Sequence, residues 1–139
     1  MIESFERKYR WLSNFSRVKI VLEGIEYATV EHAYMSAKSK DMAWKSRCAD
    51  AQLTPAQIKR ESRQIEVRED WDDIKYDIMK ECIEQKYNQE PYKTLLKNTG
   101  KKHIQEGNTW NDEYWGVNLE TGEGENKLGK LIMKKRNKL

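Results

Sequence analysis

Glu31 and Lys38 form the pair of side chains whose spacing suggests chemistry most directly. Seven positions on an α-helix correspond to a rotation of about 700°, so both side chains would share one helix face, roughly 10 Å apart along the axis. A carboxylate at a helix start stays ionised and can stabilise a developing positive charge or activate water. A lysine can bind an anion, or act as an amine nucleophile if desolvation lowers its pKa. The alternative is a solvent-exposed helix face, with His32 serving in packing or capping.

A second candidate region is the stretch 107–116, which reads GNTWNDEYWG. Aromatic rings favour burial whereas carboxylates resist it unless they are paired, so their crowding here suits a pocket for a flat, polar ring. Near the chain start, aromatic side chains from Phe5 to Phe15 also alternate with polar ones. We expect these two segments to form opposite walls of one cleft. The alternative is that the tryptophans simply belong to the core.

Lys59 and Arg63 are four residues apart and would make a compact basic pair on one helix, suited to a phosphate group. A solvated helix face is the alternative for this pair. The chain contains no Gly-rich phosphate loop, no G-x-S-x-G motif and no useful Cys/His pairing. Hydrolysis of nucleoside triphosphates and Ser or Cys hydrolase chemistry are therefore not expected.

The composition indicates one domain spanning residues 1–139. Charged residues make up 35% of the chain, which exceeds the usual quarter, so the five Trp and seven Tyr must supply much of the core. The net charge of +3 argues against a dedicated duplex-binding protein. The basic segment Lys127–Lys138 could still attract a polyanion, although such a run is commonly a solvated helix end.

Two cysteines, Cys48 and Cys82, are too few for a disulfide framework, and no spacing suggests zinc. We expect no metal and no cofactor. The chain has no apolar run long enough to span a membrane and no signal-peptide pattern. The sequence therefore predicts a cytoplasmic protein without membrane contact, and we expect a monomer.

The elements that must position these side chains are mostly helical. Val18–Leu22 and Ile25–Tyr27 predict a hairpin around Glu23-Gly24, and Gly100 can provide a left-handed helix end. The predicted helices run from an N-cap at Thr29 to about Ser39, over Ala43–Ala51, from Thr54-Pro55 to about Glu66, from Asp70-Trp71 to about Asn88, over Pro91–Lys97 and over Asn126–Arg136. The expected fold class is mainly α, or α+β with a small N-terminal β-hairpin.

Several motifs occur together in a recognisable order. They are YRWLSNF (9–15), YATVEHAY (27–34) followed by Ala37-Lys38, then Lys59 and Arg63, the Asp70-Trp71 helix with Lys75 and Met79, WNDEYWG (110–116), and GENKLGKLIM (124–133) with Arg136. With these motifs the chain resembles the family of NADAR domains, also known as YbiA-like N-glycosidases. The resemblance covers nearly the whole chain, although Met35-Ser36 stands where the family more usually has Gln-Ala. That departure bears on substrate preference more than on chemistry.

The resemblance implies a single-domain YbiA-like fold and hydrolysis of an N-glycosidic bond between ribose or ADP-ribose and an amine or base. Family members act on ribosylated intermediates of riboflavin synthesis or remove ADP-ribose from guanine in nucleic acid. The implied catalytic residues are Glu31, Lys38 and Asp112. The implied substrate-binding residues are Phe5, Asn14, Tyr34, Lys59, Arg63, Trp110, Trp115 and Asn126.

The mechanistic hypothesis gives each group a role. Glu31 would stabilise an oxocarbenium-like centre or activate water, and Asp112 would hold the ribose hydroxyls or share the acid/base role. Lys38 offers a second route, in which it captures the ring-opened ribose carbon as a Schiff base. Phe5, Trp110 and Trp115 would stack on a ring.

Two functions from other classes remain open. A non-catalytic module that binds ADP-ribose, NAD or a nucleic-acid end would use the same aromatic and basic residues, but it would have no need of Glu31. The other hypothesis, a structural or inhibitory protein that binds another protein, is supported only by the high content of aromatic residues.

Overall fold

The structure is a computed structural model that describes all 139 residues. The chain divides into two compact units, one made of Asn14–Lys86 and the other of Met1–Ser13 together with Tyr87–Leu139. We call them the central unit and the terminal unit. The fold class is mainly α with a small N-terminal hairpin, as predicted. None of the helices is both long and apolar enough to cross a membrane.

The central unit begins with the predicted hairpin. Strand β1 (Arg17–Leu22) pairs in antiparallel fashion with β2 (Ile25–Thr29). The turn residues Glu23 and Gly24 both have positive φ, at 50° and 80°, which is the geometry that joins twisted strands most closely. Apolar side chains alternate into the core from both strands, because successive residues of a strand point to opposite faces.

Helix α1 (Val30–Ser36) follows β2 directly, and all its residues are buried. Thr29 Oγ1 accepts a hydrogen bond from the His32 backbone N–H at 3.0 Å, so the predicted N-cap is confirmed. His32 Nε2 lies 2.7 Å from the Leu53 carbonyl, and its Nδ1 lies 2.7 Å from Thr29 Oγ1. Because a carbonyl only accepts, Nε2 carries the proton and Nδ1 accepts from Thr29. His32 therefore serves in capping and packing.

Helix α1 is surrounded by the hairpin and by the three other helices of this unit, which are α2 (Met42–Cys48), α3 (Pro55–Glu61) and α4 (Trp71–Lys86). Thr54 and Gln57 form a reciprocal capping box at the start of α3, with Pro55 in its first turn. The start that the Thr54-Pro55 signal predicts is thus confirmed.

Three predicted helix ends were wrong, because α1 stops at Ser36, α2 at Cys48 and α3 at Glu61. A short 3₁₀ helix, Ser62–Gln64, follows α3. The Ser36 hydroxyl donates to the Ala33 carbonyl and the Ser62 hydroxyl donates to the Lys59 carbonyl, each at 2.6 Å. A serine that bonds a carbonyl of the preceding turn competes with the helical ladder, which accounts for the early ends of α1 and α3.

The terminal unit combines both ends of the chain. Its elements are a 3₁₀ helix (Arg7–Leu12), α5 (Tyr92–Lys97), the short strands β3 (Gly107–Asn108) and β4 (Val117–Asn118), and α6 (Lys127–Asn137). Gly100 follows α5 with φ of 62°, as predicted. Strands β3 and β4 pair in parallel and close the aromatic stretch into a loop. Ile2 forms a parallel bridge with Ile104. Neither of these pairings was predicted.

Candidate acid and amine site

Glu31 and Lys38 are both held by backbone hydrogen bonds to other segments of the central unit. Glu31 lies in the first turn of α1 with 7% of its surface exposed, and its N–H donates to the Asn14 carbonyl at 3.1 Å. Lys38 lies two residues beyond the end of α1 and is half-buried. Its carbonyl accepts from Arg68 N–H at 2.8 Å. The main chain on both sides of the pair is therefore fixed.

The electrostatic environment of Lys38 brings four of the predicted site residues together. Burial lowers the pKa of the Lys38 ammonium, and the carboxylate of Glu31 acts in the opposite direction. The positive charges of Lys59, Lys75 and Arg63 lower the pKa further. We call these five residues the charge cluster. An amine in such a place is neutral more often than an ordinary lysine, which is what a nucleophile requires.

Two members of the charge cluster differ from expectation. Arg63 belongs to the 3₁₀ helix and not to a continuation of α3, so it does not share one helix with Lys59. Lys75 was not predicted as a site residue. It lies one turn after Trp71 on α4, and its Nζ is 3.1 Å from Asp72 Oδ1. In the sequence, Lys75 stands out only as a member of the motif around Asp70-Trp71.

Asn14 lies next to Glu31 through the backbone bond described above. Its Nδ2 points to Met79 Sδ at 3.7 Å, while its Oδ1 is buried and has no hydrogen-bond partner. Most buried polar atoms are satisfied, so an unsatisfied acceptor beside a buried carboxylate is an unusual feature. It could accept a hydrogen bond from a substrate hydroxyl. Nearby on the chain, the Phe15 ring lies under Lys59 Nζ, 6.0 Å from the ring centroid.

Tyr34 projects from the middle of α1 and packs against Trp71, with ring centroids 5.0 Å apart and planes inclined by 55°. Trp71 is 9% exposed and belongs to the core, as predicted. Tyr34 is 6% exposed, and its contact with substrate stays a prediction.

In the terminal unit, Asp112 organises the aromatic loop. Its Oδ1 accepts from the backbone N–H groups of Tyr114 and Trp115, at 3.2 and 2.9 Å, and its own N–H donates to Asn108 Oδ1 at 3.1 Å. Trp115 packs edge-on against Tyr114 with centroids 4.8 Å apart, whereas Trp110 is 57% exposed. One carboxylate oxygen of Asp112 is therefore used to shape the loop, and its catalytic role stays a prediction.

Asn126 connects this loop to α6. Its Oδ1 accepts from the Glu106 N–H at 2.9 Å and its Nδ2 donates to the Ile104 carbonyl at 3.0 Å, while its φ of 51° is one that Asn tolerates well. A Cβ at Gly129 would lie 2.4 Å from the same Asn126 Oδ1, so this close approach requires glycine. The observed bonds give Asn126 a structural function. Its contact with substrate, like that of the buried Phe5, stays a prediction.

The chain is thus a mainly helical domain whose central unit holds a buried carboxylate, a half-buried amine and further cations. The family model described as "NADAR domain" matches residues 2–139. The chain belongs to the NADAR domain family.

Named relatives agree with this membership. The chain is 30% identical over 134 residues to the N-glycosidase YbiA of Escherichia coli strain K12, covering 94% of this chain and 82% of that protein. It is 33% identical to an N-glycosidase of Nostoc punctiforme, covering 94% of this chain and 86% of the relative. It also matches 36% of the length of a riboflavin biosynthesis protein of Vibrio vulnificus at 29% identity.

Among solved structures, the NMR structure of Escherichia coli YbiA matches with a TM-score of 0.82 and 26% identity, covering 99% of this chain and 86% of that one. The family therefore has N-glycosidases among its named members, and the fold is that of YbiA.

Proposed function

We propose that this protein is an N-glycosidase that hydrolyses the bond between C1′ of a phosphate-bearing ribose and an amine or base. The observation that carries the proposal is the charge cluster, in which Lys38 is half-buried between one carboxylate and three further cations. Phosphate groups suit Lys59 and Arg63, while the carboxylate suits a cationic transition state. Relatives named N-glycosidases support the same reaction class.

In the direct route, the C1′–N bond breaks and positive charge develops at C1′ and the ring oxygen. Glu31 stabilises this charge and takes a proton from the water whose oxygen bonds to C1′. The departing nitrogen keeps the bonding electron pair and gains a proton, which makes a free amine and a free ribose.

In the amine route, the C1′–O4′ bond breaks, O4′ gains a proton and C1′ becomes doubly bonded to the substrate nitrogen. The neutral Nζ of Lys38 adds to C1′, and the amine then leaves with the electron pair of the C1′–N bond and a proton from Nζ, so that C1′ becomes doubly bonded to Lys38. The resulting Schiff base is hydrolysed by water, which restores the lysine and releases the ribose aldehyde. The lowered pKa of Lys38 favours this route because only the neutral amine is nucleophilic.

Two substrate classes fit this chemistry, and both carry phosphate. One is a ribosylated pyrimidine intermediate of riboflavin synthesis, which accords with a relative named a riboflavin biosynthesis protein. The other is guanine carrying ADP-ribose in nucleic acid. In either case Asn14 Oδ1 would accept from a ribose hydroxyl and Tyr34 would contact the sugar. For the terminal unit, the substrate contacts expected of Phe5, Trp110, Asp112, Trp115 and Asn126 stay predictions.

The test is a mass-spectrometric assay of both substrate classes in parallel, with Glu31→Gln as the inactive variant. Glu26→Gln is the matched control, because Glu26 is an exposed acid of the hairpin that forms a salt bridge with Lys19. We expect release of free ribose phosphate or ADP-ribose by the wild type and by Glu26→Gln, and none by Glu31→Gln. Absence of turnover on both substrates would refute the proposal.

Borohydride reduction during turnover separates the two routes. A covalent adduct on the wild type that disappears in Lys38→Ala supports the amine route, whereas turnover without any adduct supports direct hydrolysis. The alternative function, a non-catalytic ADP-ribose or NAD binding module, requires tight ligand binding without turnover. In that case Glu31→Gln would change little.

A further inference from the structure

We propose that the terminal unit carries a surface that binds the phosphate backbone of a single-stranded nucleic acid. The surface consists of residues 7–10, 97–103 and 130–138, and we call it the basic surface. This proposal rests on the proposed N-glycosidase function and deepens it, because it assigns the target base to a nucleic-acid polymer.

The first observation is a segregation of charge between the units. The terminal unit has 13 Lys and Arg against nine Asp and Glu, whereas the central unit has 13 against 14. Within the terminal unit, residues 106–125 contain six acids and no Lys or Arg. The three segments of the basic surface contain eleven Lys and Arg and no acid, with Glu6 flanking the first segment. The overall charge of +3 therefore conceals a strongly positive face.

The second observation is that Lys102 joins the three segments in space. Burial raises the pKa of the Tyr9 hydroxyl in the 3₁₀ helix, but the nearby ammonium group of Lys102 lowers it, so the two side chains are close; beside Lys102, the His103 carbonyl accepts from the Ile2 N–H at 2.8 Å. The Lys102 carbonyl accepts from Arg136 Nη1 at 2.8 Å, and the same nitrogen donates to Thr99 Oγ1 at 2.9 Å. The last turn of α6 and the 3₁₀ helix therefore both approach the turn that contains Lys102.

The third observation is that most of these charges point outward, the exception being Lys135, which is buried and donates to Asn88 Oδ1 at 2.7 Å. Lys8, Lys101 and Lys102 are exposed. On α6, Leu128, Leu131 and Ile132 face the core, and an exposed row of lysines at spacings of four residues occupies the opposite side, namely Lys130, Lys134 and Lys138. A row of cations along a surface matches the repeated charge of a phosphate backbone.

The ring of Tyr9 favours single-stranded nucleic acid over other polyanions as the ligand of the basic surface. Its ring is half-buried, and Lys8 Nζ lies 5.1 Å from the ring centroid. An aromatic ring among lysines offers a platform for an unstacked base, which a duplex does not present. An anionic membrane is disfavoured, because surface-binding segments insert apolar side chains and none of the exposed large hydrophobic residues belongs to the basic surface.

The experiment measures fluorescence anisotropy of an unmodified, labelled single-stranded DNA of roughly 15 nucleotides at about 50 mM and about 200 mM salt. The test variant is Lys8→Gln/Lys101→Gln/Lys102→Gln. The matched control is Lys19→Gln/Lys40→Gln/Lys80→Gln, which removes the same charge from exposed positions of the central unit.

We expect the test variant to bind at least about tenfold more weakly and to show a salt slope smaller by about 2, with less than about twofold change in the control. Tyr9→Leu should also weaken binding about tenfold while Tyr9→Phe does not. Equal affinity of the two triple variants, or no DNA binding by the wild type at low salt, would overturn the proposal. So would binding to phosphatidylserine vesicles without binding to DNA.

Binding is read without turnover, so failure of the proposed function leaves this result interpretable. If DNA binds through the basic surface but no substrate is cleaved, the surface stands and the N-glycosidase proposal fails. If a small ribosylated substrate is cleaved equally by the wild type and both triple variants while DNA does not bind, the reverse holds.

Discussion

At the level of single residues, the pKa of Lys38 depends on the charges around it. Lys59→Gln removes one of the cations that lower the pKa of Lys38, so that pKa should rise. Under the amine route, activity requires neutral Lys38, and the ascending limb of the kcat profile should move to higher pH. The measurement is kcat against pH for the wild type and the variant.

Arg60→Gln is the control for this shift. Arg60 is the exposed neighbour of Lys59 on α3 and is not among the charges that act on Lys38. An identical limb in the wild type and Lys59→Gln would show that Lys38 does not titrate in the rate-limiting step.

A second lysine, Lys86, titrates through burial alone and should govern stability. It is fully buried at the end of α4, and desolvation lowers the pKa of its ammonium to about 7. In the unfolded chain the pKa is about 10.4, so the unfolded state binds more protons between about pH 7 and pH 10. The free energy of unfolding should therefore rise with pH through this window.

Lys86→Met tests this origin, because methionine fills similar space without a charge. The variant should be more stable than the wild type below about pH 7, and the difference should shrink toward pH 10. Urea denaturation across this range measures it. A stability difference independent of pH would exclude Lys86 as the titrating group.

At the scale of elements, the junction between β2 and α1 positions the candidate site. Thr29 Oγ1 accepts from the His32 N–H and donates to the His32 ring, so one hydroxyl supports both the cap and the side chain next to Glu31. Thr29→Ala should lower the free energy of unfolding by about 1–2 kcal/mol. Thr29→Ser keeps the hydroxyl and should lose less than half of that. The measurement is thermal unfolding. Equal losses of stability in the two variants would show that the Thr29 hydroxyl does not stabilise the start of α1.

The element starts were predictable because their signals are local. Thr29, Thr54-Pro55 and the Glu23-Gly24 turn each act within three or four residues, and each is found where expected. The ends were less predictable. Ala37 and Lys38 are good helix formers, but the Lys38 carbonyl bonds Arg68 and the Ser36 hydroxyl bonds within the last turn of α1. Tertiary contacts and a serine side chain override propensity there.

The candidate site, like the secondary structure, was predictable where the signal is local and not where it depends on tertiary packing. The spacing of Glu31 and Lys38 anticipated a shared face, although Lys38 lies beyond the helix end. Lys59 and Arg63 both lower the pKa of Lys38, while their expected binding of phosphate stays a prediction. Lys75 was missed because its approach to Lys38 depends on how α4 packs against α1, which no local pattern contains.

On the scale of the whole chain, the terminal unit depends on a contact between distant residues. Ile2 N–H donates to the His103 carbonyl at 2.8 Å, and the Gln105 N–H donates to the Ile2 carbonyl at 2.9 Å. Gly107 approaches the same N-terminal segment so closely that a Cβ would lie 2.1 Å from the Glu3 carbonyl oxygen. Neither contact has a sequence signal, because a two-residue bridge between positions about a hundred residues apart has no periodicity to detect.

Because of this bridge, we expect the first residues of the chain to stabilise the terminal unit. The variant Ile2→Ala tests that expectation. Ile2 is completely buried, so the truncation leaves a cavity and should lower the free energy of unfolding by about 2–5 kcal/mol. Met1→Ala is the control, because Met1 is 66% exposed and should change stability by less than about 0.5 kcal/mol. Urea denaturation followed by tryptophan fluorescence suits the measurement, since Trp11, Trp110 and Trp115 report on this unit. Equal stability of the two variants would mean that the N-terminal bridge opens at no cost and that residues 87–139 hold the unit together without it.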